Sequence, residues 1–568
     1  MKRILVIVCI ALAFAALGWT GYRGVTSADL PLSRFFPAGP SLYLEAQDFS
    51  SLLNEWNFSK QKRRWLRGDN YEVFSRSRLF LRLQGAGQQF ASAAGIPPDM
   101  DFLFQIAGQR SALAIYDIGK LEFLYLTYLP SAKSMRSSLY QTRSKFEPRN
   151  AGGVDFFIRR DPESQRVVAF AVSGDYLLLA TREDLLAGAL QLMSGRQDRA
   201  VESESWWTQS TKAAGHAGDL RMVLDLQTLV PNGYFRTYWV QQNITDLSQY
   251  SAAVSDLFRP GSEYREERVL IRKKEPERPP SSDGFTAAAD LARLIPDNAG
   301  VYITAANPST DACFALLETK ILAPHLGPAP VSQIAPQVLL TSGEQGGGSD
   351  LETRIDQPPA EAPATSSSAA ALKDLLTKTP ILASLQLQLT RRDQAGVFVR
   401  IHSAVVLAAA SDWNEAAVRS AVNEFVRPAL TAGQLGVSWQ QKSGYQQLDG
   451  LWPLAVHVQG KYVVVSDDPG LMESVVANFS RKSARKPFEY FAGFNHKQER
   501  ENFARLTSLV DRPNMPISSL PGAERQPQFF AGNMASLSST LADISSERIE
   551  IRSEGAKVRQ TVTYEWSQ

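Results

Sequence analysis

Hydrophobic and polar positions along the chain fall into three kinds of pattern. The first is one unbroken apolar run, Ile4 to Trp19, preceded by Lys2 and Arg3. The second is a set of short apolar blocks closed by turns. Gly174-Asp175-Tyr176-Leu177-Leu178-Leu179-Ala180 and Gly460-Lys461-Tyr462-Val463-Val464-Val465-Ser466 are the clearest, and each predicts a strand. The third is a helical stripe after each of those strands. Leu185, Leu186, Ala189, Leu190 and Met193 answer Leu471, Met472, Val475, Val476 and Phe479 position by position, the spacing of one buried helix face. Thr181, with Asp184 three residues on, is placed to cap the first helix. Ser466 or Asp467 is placed to cap the second, with Pro469 in its first turn, where a missing N–H is harmless.

Two further matches occur in the same order. Pro37–Ala46 returns as Pro296–Ala305, with Tyr43 answering Tyr302. Phe123–Tyr128 and a helix from Ser131 return as Val405–Ala409 and a helix from Ser411. Three ordered matches point to an internal duplication. The second copy is longer between the outer matches, and the excess is visible as Thr341–Ser368, rich in Gly, Pro and Ser and read as a disordered insertion over 341–368. The polar, proline-containing stretch from Lys273 reads as a linker over 273–285. Val269–Ile271 closes the first copy. Arg548–Arg552, a Glu554-Gly555 turn and alternating Val558, Val562, Tyr564 and Trp566 close the second as a hairpin. The expected fold class is α+β: two related repeats, 36–272 and 286–568, each a mainly antiparallel sheet packed on one face by helices. No regular βαβ series is present, which disfavours a doubly wound nucleotide fold.

The apolar run sets the expected compartment. Sixteen helical residues span about 24 Å, and Thr20–Tyr22 extend this to about 28 Å, close to the hydrocarbon thickness of a bilayer. Residues 1–23 therefore predict an N-terminal transmembrane anchor, and the basic start keeps that end cytoplasmic. The expected location is the bacterial inner membrane, single-pass, with the bulk of the chain periplasmic. A cleavable signal with Ala13-Phe14-Ala15 as its site is the rival, and no lipobox cysteine follows the run.

Composition narrows the chemistry. The 568 residues carry 60 Lys+Arg against 58 Asp+Glu, a net charge of +2 that draws the chain to no nucleic acid. At 44 % hydrophobic and 21 % charged it is neither disordered nor polytopic. Cys9 lies in the apolar run and Cys313 reads as a buried, inert thiol on a helix face, so no disulfide scaffold is expected. Gly85-Ala86-Gly87 lacks the third glycine of a dinucleotide loop and sits in a helical pattern. His216, His325, His402, His457 and His496 show no ligand spacing, with His402 and His457 in strand patterns. Asp99-Met100-Asp101 reads as a helix start, and Ser59-Lys60-Gln61-Lys62 as a surface helix rather than a nucleophile motif. Trp206-Trp207 and Tyr234, Phe235, Tyr238 and Trp239 read as core or interface. Catalytic, cofactor and metal residues are thus expected to be none. One cluster suits an anionic lipid or glycan surface: Lys60, Lys62, Arg63, Arg64, Arg67 and Trp65, close to the membrane segment.

The entry Leu42-Tyr43-Leu44-Glu45-Ala46 after Pro37, with Asp48-Phe49, the stretch Asp69–Leu79, and Tyr176–Leu186 resemble an uncharacterised bacterial family of membrane-anchored envelope proteins carrying a domain of unknown function. The resemblance implies an exported bacterial location and supplies no activity. The expected function is non-catalytic binding or scaffolding in the envelope, with a lipid or an envelope protein as partner. Carriage of an apolar ligand such as lipid is the first alternative, and an enzyme with a site dispersed along the sequence the second.

Overall fold

The structure, a computed structural model, describes residues 31–566 apart from 197–198, 239–246, 276–280, 323–368, 393–398, 432–437, 450–452 and 503–542. The anchor over 1–23 and the insertion over 341–368 lie outside the described residues, and no described helix is long and apolar enough to cross a membrane. The fold is mixed α+β with antiparallel sheet pairing. Two units are distinguished, Met1–Pro276 with 535–542 and 554–560, and Glu277–Met534 with 543–553 and 561–568.

The strands of the first unit are β1 (Leu42–Ala46), β2 (Ser111–Asp117), β3 (Glu122–Tyr128), β4 (Glu147–Ala151), β5 (Val154–Arg160), β6 (Val167–Ser173), β7 (Tyr176–Ala180), β8 (Leu220–Asp225), β9 (Tyr250–Phe258) and β10 (Glu263–Arg272). They pair antiparallel in the order β4-β5-β6-β7-β3-β2-β1-β8-β9-β10. The strands of the second are β11 (Val301–Ala306), β12 (Ile381–Arg392), β13 (Val399–Ala409), β14 (Ser438–Gln441), β15 (Gln446–Asp449), β16 (Leu454–Gln459), β17 (Tyr462–Ser466), β18 (Tyr490–Phe494), β19 (Ile544–Glu554) and β20 (Lys557–Trp566), the last two belonging to this unit through Ser553 and from Thr561. These pair in the order β14-β15-β16-β17-β13-β12-β11-β18-β19-β20. The turns into β7 and β17 are alike, since Gly174 and Gly460 both adopt φ +55°, a conformation open to glycine at no steric cost.

In each unit the sheet carries helices on two faces, not one. In β7, Leu178 and Ala180 join a core with Leu185, Leu186, Ala189 and Leu190 of the helix Glu183–Met193. Leu177 and Leu179 point the other way, into a cluster with Phe90, Phe102, Ile106 and Leu139. In β17, Val464 packs with Leu471, Met472 and Val475 of the helix Pro469–Ala477, while Val463 and Val465 face Phe314, Leu372 and Phe425. A continuous apolar run, unlike a strict alternation, is what a strand buried on both faces needs. The caps also differ from expectation. Arg182 occupies the first N-cap without a side-chain bond, and Thr181 Oγ1 instead accepts from Phe123 N at 2.8 Å. In the second unit Asp468 caps, accepting from Leu471 N at 2.6 Å, because Ser466 and Asp467 are engaged with Ser403. The helix expected from Ser411 begins at Glu415, after Asn414 accepts from Ala417 N. A further helix, Ser282–Leu291, starts within the stretch read as linker.

Candidate functional site

Between β1 and β2 the first unit inserts helices Phe49–Phe58, Lys60–Arg67, Asp69–Ser75, Arg78–Ala94 and Met100–Ile106. Local chemistry delimits them. Asp48 accepts from Ser51 N, Ser59 from Lys62 N, Ser77 from Phe80 N and Asp99 from Phe102 N, and Gly95 ends the long helix at φ +74°. Asp99 and Ser59 thus serve as helix caps. The last two helices cover the sheet face that carries Tyr125, Phe170 and Leu179.

A cavity of about 400 Å³ lies between that face and the helices, within the range of small-molecule pockets. Leu44, Leu113, Phe123 and Leu179 come from the sheet, and Ala86, Gly87, Phe90, Phe102 and Leu103 from the helices. The uncharged polar side chains in its walls are bonded to other protein groups. Tyr125 OH donates to Ile106 O at 3.0 Å, Ser111 Oγ meets Thr127 Oγ1 at 2.7 Å, and Thr181 Oγ1 holds Phe123 N. Burial pushes the Tyr125 hydroxyl up from its ordinary pKa, so it stays a neutral donor. Apart from Arg166 at one end, the walls therefore present hydrocarbon, a lining suited to apolar matter.

A second, polar pocket of about 690 Å³ adjoins it, sharing Ala86, Leu121, Arg166 and Thr181. Arg82, Lys120, Arg160, Arg166 and Arg182 line it with the carboxylate of Glu122. Arg182 pairs with Glu122 at 2.9 Å and with Asp184 at 2.5 Å. Arg82 donates to Gly119 O, its guanidinium 4.2 Å from the Tyr234 ring centre. Arg166 Nη1 donates to Lys120 O at 2.8 Å and Nη2 to Gln89 Oε1 at 3.1 Å. The turn that presents Arg166 is tied by Asp161, whose carboxylate accepts from Ser92 Oγ, Ser164 N and Ser164 Oγ. Those bonds hold its pKa down to about 2. Leu121 and Gln165, both lining this pocket, adopt φ +53° and +57°. Left-handed backbone at a non-glycine residue costs on the order of 1–3 kcal/mol and concentrates at functional loops.

The basic cluster is not part of this lining. Lys60, Lys62, Arg63, Arg64 and Arg67 lie on the helix Lys60–Arg67, which has no buried residue. Trp65 is half-buried, edge-on to Tyr71 at 6.4 Å. Trp56 and Phe58, at 50 % and 69 % exposed, flank the cluster as solvent-facing apolar groups. Trp207 belongs to the core, 4.8 Å from Tyr43 between ring centres, and Phe235 is buried, while Tyr234 is exposed at the polar pocket. Cys313 is buried, and desolvation pushes its thiol up to about 12. Among the described residues no group of His, Cys, Asp or Glu could hold a metal ion. The Gly85-Ala86-Gly87 motif carries a signal that sequence reading set aside: small residues on one helix leave room against the sheet.

The chain matches no protein-family model and no curated protein. Among solved structures it is similar to crystal forms I, III and IV of TP0453. The TM-scores are 0.24, 0.23 and 0.23 at 12, 9 and 9 % identity. The matches cover 44, 44 and 43 % of this chain and 82, 83 and 82 % of the other. At those scores the likeness bears on neither fold nor function.

Proposed function

We propose that this protein is a non-catalytic binding protein of the cell envelope that holds an apolar ligand in its first unit. The observation that carries the reading is the cavity beneath the helix Arg78–Ala94, where Tyr125 and Ser111 are hydrogen-bonded within the protein and hydrocarbon makes up most of the remaining wall. The extracytoplasmic location and the tether rest on Lys2 and Arg3 ahead of the run Ile4–Trp19, and on the resemblance to envelope proteins. The two units are read as copies of one repeat, supported by their common strand order and by cross-strand register. Tyr125 sits opposite Leu179 where Val405 sits opposite Val465.

A photoreactive, uncharged hexadecanol tests the binding reading on the full-length protein held in amphipol. It is expected to label peptides within residues 79–106 and 111–125. Ala86→Phe, which fills the cavity, is expected to abolish that labelling with a melting temperature within a few degrees of wild type. Absence of label from these peptides in the wild type, or unchanged label in a folded Ala86→Phe variant, would refute it.

A further inference from the structure

The apolar cavity and the basic pocket meet at Ala86, Leu121, Arg166 and Thr181. We infer that together they hold one anionic amphiphile, with a single hydrocarbon chain in the cavity and a carboxylate or phosphate head against Arg166. This rests on the apolar-ligand reading above and adds the chemistry of the head. Arg166 is half-buried on the shared boundary, and its partners are the backbone carbonyls of Lys120 and Leu121 and the Gln89 amide oxygen, all neutral. Among the described residues no carboxylate lies within 4.0 Å of it, nor of Arg82, Lys120 or Arg160. Arg182 is already neutralised by Glu122 and Asp184. Desolvation lowers the Arg166 pKa and the Glu122 carboxylate offsets it only in part, so an incoming anion would stabilise the cation further.

Other occupants fit less well. A cation meets an excess of positive charge, and a free inorganic anion leaves the hydrocarbon-lined space unused. A neutral oil leaves Arg166 without an anionic partner. A volume of about 400 Å³ is near the lower end for small-molecule pockets and suits one chain rather than two. Arg166 is poised for a charge-assisted hydrogen bond, which a carboxylate or phosphate oxygen accepts and a hydroxyl accepts far more weakly.

Competition against the photoreactive hexadecanol reads the head separately from the chain. On the full-length protein, hexadecanoate and hexadecyl phosphate are expected to displace the probe at about tenfold lower concentration than unlabelled hexadecanol, the discrimination of one charge-assisted bond. The better of the two anions identifies the head, and inorganic phosphate alone is expected to leave labelling intact. Arg166→Gln is expected to erase the anion advantage while retaining the neutral label, which itself reports an intact cavity. Equal displacement by acid and alcohol in the wild type would overturn this inference and leave the apolar-ligand reading standing. Displacement by inorganic phosphate, or an anion advantage that survives Arg166→Gln, would also overturn it. Failure of the neutral probe to label the cavity removes the underlying reading instead.

Discussion

The connection from β1 to β2 in the first unit and that from β11 to β12 in the second leave corresponding strands and differ in what they build. The first folds into helices whose cavity-facing residues include Ala86 and Gly87, and a space remains over Tyr125 and Leu179. The described part of the second, helices Thr310–Leu317 and Ala370–Lys378, packs Phe314, Leu317, Leu372 and Leu376 into one buried cluster with Val405, Val463 and Val465. The sheets impose neither outcome. In the first unit the small residues Ala86 and Gly87 leave space against the sheet that a larger side chain would occupy. The same economy appears at the end of the central strand. Thr181 Oγ1 accepts from Phe123 N at 2.8 Å, and Asp467 Oδ1 accepts from Ser403 N at 2.7 Å, one role filled by a neutral group and by an acid.

The largest test addresses what the units share. Leu185→Asp and Leu471→Asp each place an unpaired charge in the helix stripe, where the wild-type side chains are 4 % and 1 % exposed. Each is expected to cost more than about 4 kcal/mol, read as loss of one unfolding transition in urea. Wild-type stability in either variant would break the equivalence of the stripes. The next test addresses what they do not share. Leu372→Ala opens a hole in a filled face and is expected to cost about 2–5 kcal/mol, whereas Leu103→Ala enlarges an existing cavity and should cost less than about 2 kcal/mol. Equal costs by chemical denaturation would mean the two faces are packed alike.

The smallest concerns Asp467, which accepts a backbone N–H in the second unit as Thr181 does in the first. Burial raises the Asp467 carboxyl to about 6. The native state therefore binds the proton more tightly than the unfolded chain, and stability falls as pH rises from about 4 to 6. Asp467→Asn removes that penalty. It is expected to be more stable than wild type at pH 7.5 by on the order of 1–3 kcal/mol, with the gap closing toward pH 4. A gap independent of pH, measured by urea melts at both values, would show that the carboxylate is not the source.

Legibility followed the range of the interactions. Glycine turns before β7 and β17, the stripes Leu185–Met193 and Leu471–Phe479, and the hairpin through Gly555 depend on neighbours in sequence, and each was readable. The helix caps slipped by a residue because Thr181 and Asp467 were drawn instead to Phe123 and Ser403, partners far away in the chain. Helices on the second sheet face were missed although the unbroken apolar runs of β7 and β17 encode two-sided burial.

The order of apolar blocks, their turns and their periods followed from the chain alone, since φ preferences and amphipathic spacing act over a few residues. The meeting of Ala86, Leu121, Arg166 and Thr181 at one seam, and the exclusion of the basic helix Lys60–Arg67 from it, were decided by tertiary structure. A cavity is the space that separate elements fail to fill, and its size depends on contacts between residues that share no local pattern.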